Sequence, residues 1–226
     1  MEIFQDKDTY IQNRSEYKDK GLVYYSRSEE TINCFTHLLA GLMGLAFMIY
    51  TICFLDKPIL IFAASLSAIF CAFPYTVSFY YHFTSNVKRK AVVRKIDHAG
   101  VGFIVLSCGI PLCLGMKIHV YDIVAVSICT AIVFGNIIMS IINLQKFSRL
   151  MMILDVVIAV FLTAAYFVNR QTMPESAKWF FISGAVFCLL AFSFFGRKTQ
   201  YMHSVFHILS LLGTTAFMHA GMLILL

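Results

Sequence analysis

Charge is what this sequence has least of. Asp, Glu, Lys and Arg make up 13% of its 226 residues, against about 25% in an ordinary soluble domain. A chain so poor in charge cannot clothe a water-facing globule. Proline is scarce, with four residues in all, so long apolar stretches run almost without helix breakers. Closely paired cysteines of the CxxC kind are missing. The seven thiols, Cys34, Cys53, Cys71, Cys108, Cys113, Cys129 and Cys188, all fall in apolar stretches. That pattern argues against a disulfide framework or a thiolate metal site and for thiols that pack as small hydrophobes. The opening "MEIFQDKDTYIQNRSEYKDKGLVYYSRS" has no apolar middle, so a cleavable signal peptide is not expected. No internal repeat or low-complexity tract is visible.

Hydrophobic length is what the chain does have. Apolar residues reach 59% and the mean hydropathy is +0.77. Apolar runs near the ~20 residues that cross a bilayer are expected at 32–55, 58–82, 96–116, 119–142, 150–168, 177–195 and 203–226. The expected fold is all-α: a polytopic membrane protein with a seven-transmembrane helix bundle at 29–226, preceded by a polar tail at 1–28. Seven crossings put alternate loops on opposite sides. Fourteen of the 18 Lys and Arg residues then fall on one side, that of the tail and of "SNVKRKAVVRK". Positive charge stays inside, so the N-terminus is expected in the cytoplasm. The net charge of +6 is then a topology signal and no argument for nucleic acid. The basic second loop also suits anionic lipid headgroups.

Few residues in the spans can bind a metal or move a proton. Ser78 and His82 stand four apart in "SFYYH", and His203 and His207 stand four apart in "HSVFH". Each pair shares a helix face, about 6 Å apart along the axis. Asp97 opens the third span in "KIDHAG". The charge asymmetry, which is independent of these residues, puts all of them at the cytoplasmic end. Three imidazoles and a water form a familiar catalytic zinc arrangement, and a nearby carboxylate can orient that water or take its proton. The competing reading is hydrogen-bonded histidines that pack helices. In "EETINCFTH", Glu30, Asn33 and His37 form a stripe at the same end, explained mostly by capping, to which Glu29 and Glu30 are suited, and by packing, with Asn33 and His37 also placed to line the site. Asp155 lies within the fifth span, where a carboxylate is a functional candidate or a partner for a neighbouring helix. His98 is expected to face away from Asp97, His119 to lie in a loop, and His219 to lie in the far leaflet.

Taken in order, "EETINCFTH", "SFYYH", "KIDHAG" with Pro111 downstream, and "HSVFH" resemble the hemolysin III family. That family is the bacterial branch of the progestin and adiponectin receptor (PAQR) superfamily, related to alkaline ceramidase-like membrane hydrolases. The resemblance implies a bacterial plasma-membrane protein with a cytoplasmic N-terminus and a Zn2+ ion held by His82, His203 and His207. It also implies a water-linked Asp97 and Ser78 beside the ion. The chain departs from the pattern at "LSCGIP", where Ser107, Cys108 and Gly109 replace the usual residues before the proline, and in a slightly late His219.

The activity expected from residues and resemblance together is hydrolysis of a lipid amide or ester near the inner leaflet. Asp97 would act as general base, and Ser78 would bond a ligand or the developing oxyanion. Two alternatives stand beside it: a cytolysin that permeabilises membranes, and a non-enzymatic sensor or regulator of membrane homeostasis. A membrane lipid is the expected partner.

Overall fold

The computed structural model describes residues 16–197 and 199–226. Lys7, Arg14 and Lys198 of the basic count lie outside them, as does the start of the polar tail. Helix α1 spans Arg27–Cys53 and begins at a capping box. There Ser26 Oγ accepts from the Glu29 N–H at 3.3 Å, and Glu29 Oε2 accepts from the Ser26 N–H at 2.9 Å. Pro58, which has no N–H to lose at a first helical position, opens α2, Pro58–Phe83. Asn86 caps α3, Val87–Ala99, by accepting from the Arg89 N–H. Most of the basic "VKRKAVVRK" is therefore helix, not loop. Gly100 keeps helical dihedrals and leads into α4, Val101–Leu114, and α3 with α4 makes one 28-residue apolar crossing.

Helix α5, Val120–Asn169, contains 50 residues. Laid straight it would be about 75 Å long, far beyond a hydrocarbon core of about 30 Å. It is folded on itself instead. Asn143 leaves helical geometry (φ −161°, ψ 92°), and its side-chain oxygen accepts from the Lys146 N–H at 3.0 Å, as an N-cap does. The halves run back to back: the Asn136 amide donates to Asp155 Oδ1 at 2.9 Å, across a separation of roughly 28 Å in a straight helix. Helix α6, Glu175–Phe194, and α7, Met202–Leu225, complete the set. Six helices are long and apolar enough to cross a membrane, and the fold in α5 makes seven crossings. No strand occurs among the described residues.

Helix α4 is the core of the bundle. It is apolar on every side, and residues such as Leu106, Ile110, Leu112 and Cys113 are buried against α2, α5 and α7. A helix apolar all round belongs inside. Small residues let α6 and α7 touch: a Cβ on Gly213 would stand 2.7 Å from Cys188 Sγ. Two hydroxyl contacts cross the core, Ser67 to the Ser107 carbonyl at 2.7 Å and Tyr75 with Thr214 at 2.6 Å. The outer surface carries Phe35, Leu42, Ile142, Val160 and Leu189 exposed, which suits lipid and not water. The cysteines are unpaired, and Cys34, Cys71, Cys108, Cys113 and Cys129 are buried.

Residues 16–26 close one end. A helical turn at 16–19 stops at Gly21, whose φ of +65° favours glycine. Tyr17 and Leu22 then pack on Tyr81 and Val87, and Arg94 donates to the Gly21 carbonyl at 2.6 Å. This part of the tail, polar in sequence, is a fitted cover over the histidine end of the bundle.

Candidate metal centre

The site is assembled where α2 ends and α7 begins. Ser78 and His82 lie one turn apart on the last turns of α2, and His203 and His207 lie on the first turns of α7. What brings the two together is the start of α1. Tyr201, at φ +63°, donates its N–H to Glu29 Oε1 at 2.8 Å, and its hydroxyl meets that of Ser28 at 2.9 Å. One turn on, Ser204 donates to Asn33 Oδ1 at 2.7 Å. The first turns of α1 and α7 are thereby lashed together, with α2 packed beside them.

One ring nitrogen from each of His82, His203 and His207 lies within 4.8 Å of the others. A tetrahedral ion at about 2.0–2.1 Å from each nitrogen wants them about 3.4 Å apart, a closing of at most about 1.4 Å from the 4.8 Å limit. His207 supplies the test of fit. It is 4% exposed, and neither ring nitrogen has a partner among the described residues. A buried imidazole that serves packing finds hydrogen bonds; a nitrogen facing two other imidazole nitrogens finds a cation. The three residues can hold a metal ion.

His82 is oriented from behind. Its Nδ1 meets Glu30 Oε2 at 2.6 Å, which leaves Nε2 for a cation, the usual carboxylate support of a metal-binding histidine. Glu30 is held in turn by Lys90, whose Nζ donates to Glu30 Oε1 at 2.7 Å and to the Tyr81 carbonyl at 2.9 Å. Lys90 is 1% exposed and lies over the Tyr81 ring at 4.7 Å. Tyr25 stacks on His203, ring centroids 4.7 Å apart. Burial, with Glu30 nearby, pushes its phenol well above the ordinary tyrosine range, so the cover it forms is neutral.

Asp97 stands just outside the tight group. It lies beside Ser78 and within electrostatic reach of His82 and His203. Its Oδ2 is also 3.3 Å from His98 Nδ1. His98 therefore does not face away from Asp97 as helix geometry suggested: side chains 100° apart on a helix can still bend together at the edge of bonding range. His37 is packed against the site, its ring centroid 4.0 Å from that of His207 and 6.1 Å from that of His82. His119 precedes α5, and its N–H donates to Asp122. His219 lies between Phe47 and Phe180, roughly 24 Å along α7 from His203.

Ser78, His82, Asp97, His203 and His207, expected at one end of the bundle, lie together there. The sequence suits Glu30 to capping, and nothing in it singles out Lys90. A signal for Glu30 existed: Ser26-x-x-Glu29 is the capping pair, which frees Glu30 to turn inward with Asn33 and His37. Lys90 had no such signal, because it sits in a basic run that topology already explained.

Compared with curated proteins, the chain matches none. Among known families, the one described as haemolysin-III related matches residues 25–218, which takes in α1 to α6, most of α7, and Glu30, Ser78, His82, Lys90, Asp97, His203 and His207. The chain belongs to the haemolysin-III related family, within the PAQR superfamily.

Proposed function

We propose that this protein is a zinc-dependent hydrolase of a lipid amide or ester. The observation that carries the reading is the meeting of His82, His203 and His207 within 4.8 Å, with an unpartnered His207 and a carboxylate beside them. Zinc, when bound, supplies a Lewis acid and a water whose pKa falls to about 7 in good sites. The chain's own groups do the rest. Glu30 fixes His82 so that Nε2 faces the cation. Asp97, steadied by Ser78, takes the proton of the attacking water as general base and returns it to the leaving amine or alcohol. Tyr25 and the packed segment 16–26 keep bulk water from that end.

The orientation proposed is N-terminus in the cytoplasm of a bacterium, with the site near the inner leaflet. It is supported by Arg27, Lys88, Arg89, Lys95, Lys146, Arg149 and Arg197 at the histidine end, against Lys57, Lys117, Arg170 and Lys178 at the other. A lipid is the favoured substrate because the bundle's outer surface is apolar, so a substrate can enter from the side.

Metal analysis of detergent-purified protein tests the reading. Close to one zinc per chain is expected, with loss of the metal in His203→Ala. Hydrolysis of a panel of N-acyl and O-acyl lipids should be lost with it. Full metal retention in the triple variant His82→Ala/His203→Ala/His207→Ala refutes the assignment.

A further inference from the structure

Of the eight buried side-chain N and O atoms without a hydrogen-bond partner among the described residues, five share one seam, and the others, on Thr84, Arg94 and Asn136, lie apart from it. Asn33 Nδ2, both ring nitrogens of His37 and both of His207 are in this state, and all three residues lie where α1 meets α7. A cation satisfies one nitrogen of His207. It leaves Asn33 and His37 unexplained, since His37 offers no ligand atom to the tight group. Asn33 is fully buried and His37 is 7% exposed. A buried donor left without an acceptor costs about 1–3 kcal/mol, so two on one helix face, beside the histidines, point to a ligand.

The chemistry of that ligand follows from what each group can give. Ser204 donates to Asn33 Oδ1 at 2.7 Å, which fixes the amide and turns Nδ2, a donor only, away from that bond. His37, one turn further along α1, offers one N–H when neutral. Side chains four apart on a helix start about 6 Å apart, close enough to converge on one acceptor with two lone pairs. Resting on the zinc reading above, we propose that Asn33 and His37 form a donor pair for the carbonyl oxygen of the acyl substrate. The pair holds that oxygen beside the cation and strengthens its hold as negative charge develops there. The scissile carbonyl then lies in the α1–α7 seam, and the acyl chain leads outward to lipid. An acyl amide or ester fits two donors. A ligand that presents only donors does not.

Binding of dodecanohydroxamic acid to the zinc-loaded, detergent-solubilised full chain tests this, with zinc content measured on every sample. Asn33→Asp keeps the oxygen that Ser204 bonds and removes the donor. His37→Phe keeps the ring and removes both nitrogens. Each should retain its zinc and bind the hydroxamate at least tenfold more weakly. His37→Gln, which restores an N–H, should recover part of the loss. Unchanged hydroxamate affinity in both zinc-loaded variants overturns the donor pair. Loss of zinc from His37→Phe overturns it too, by making His37 a metal ligand. Should the wild-type chain take up no zinc, the hydrolase reading fails separately. The donor pair is then tested with dodecanamide, which carries the same carbonyl without a chelating group: weaker binding in Asn33→Asp and His37→Phe supports the pair, and equal binding overturns it.

Discussion

The bundle buries polar side chains at both of its ends, and the two ends treat them differently. At the end where α5 starts and finishes, Asp122 Oδ2 accepts from the His119 N–H at 2.9 Å. Asn169 Nδ2 donates to the Tyr121 hydroxyl at 3.1 Å and to the Ala165 carbonyl at 3.0 Å, with Asp122 Oδ1 at 3.5 Å. Neither side chain has a buried N or O atom left without a partner. At the histidine end Glu30, Lys90 and His82 Nδ1 likewise close on one another, although Thr84 Oγ1 and Arg94 Nε near them have no partner among the described residues. Further in, Asn33, His37 and His207 keep polar atoms unpaired. A network closed on itself ties helices together. One with open valences aimed at a common point is built for something the chain itself does not supply.

That difference can be broken from either side, and Lys90→Met should break it hardest. It leaves Glu30 buried without its cation, and losing one member of a buried pair costs about 3–5 kcal/mol. Thermal unfolding in detergent should show a large drop, and zinc affinity should fall as His82 loses its support. Lys90→Arg should recover part of both.

Asp122→Leu comes next and should separate the two ends. It strips an acceptor from the His119 N–H and from Asn169, at about 1–3 kcal/mol for each group left unpaired. The unfolding midpoint should fall while zinc stoichiometry and affinity stay at the wild-type level. A variant that lost zinc here would mean that the two ends are not independent.

Much of this was legible in the sequence, and what was not has physical reasons. Hydropathy marks spans because the bilayer forces some twenty apolar residues together. The i, i+4 spacing of Ser78 with His82 and of His203 with His207 marks a face. Neither signal can tell that "NLQKFSR" is helix broken only at Asn143, because one asparagine with φ −161° is a local event. Packing of residues 16–26 was hidden because Tyr17 stands alone among charged residues and the run from Leu22 to Tyr25 is too short to read as a core element, and only the meeting of Tyr17 and Leu22 with Tyr81 and Val87 gives them a core. Lys90 was hidden by company: four other basic residues surround it, and burial singles out one.

Glu30→Gln is the next smaller change. The amide keeps the shape of Glu30 but weakens both the bond to His82 Nδ1 and the attraction to Lys90. Loss of such support for a metal-binding histidine typically costs 10–100-fold in affinity, so about a tenfold weaker zinc affinity is expected in a chelator competition, with the fold intact.

The smallest effect sets the sharpest comparison, because it lies one residue away. Glu29 caps α1 and accepts from the Tyr201 N–H at 2.8 Å; it reaches neither His82 nor Lys90. Glutamine serves in a capping box as glutamate does, and a side-chain carbonyl oxygen can still accept from Tyr201. Glu29 is buried but keeps a carbonyl acceptor as glutamine, so Glu29→Gln should cost about 1 kcal/mol of stability, the dipole contribution of a carboxylate at a helix N-terminus, and leave zinc affinity unchanged. Two adjacent carboxylates, about 100° apart around the same helix turn, would then differ about tenfold in their effect on the metal. Equal effects would mean that the start of α1 matters only by docking α7, and that the orienting role of Glu30 on His82 is not real.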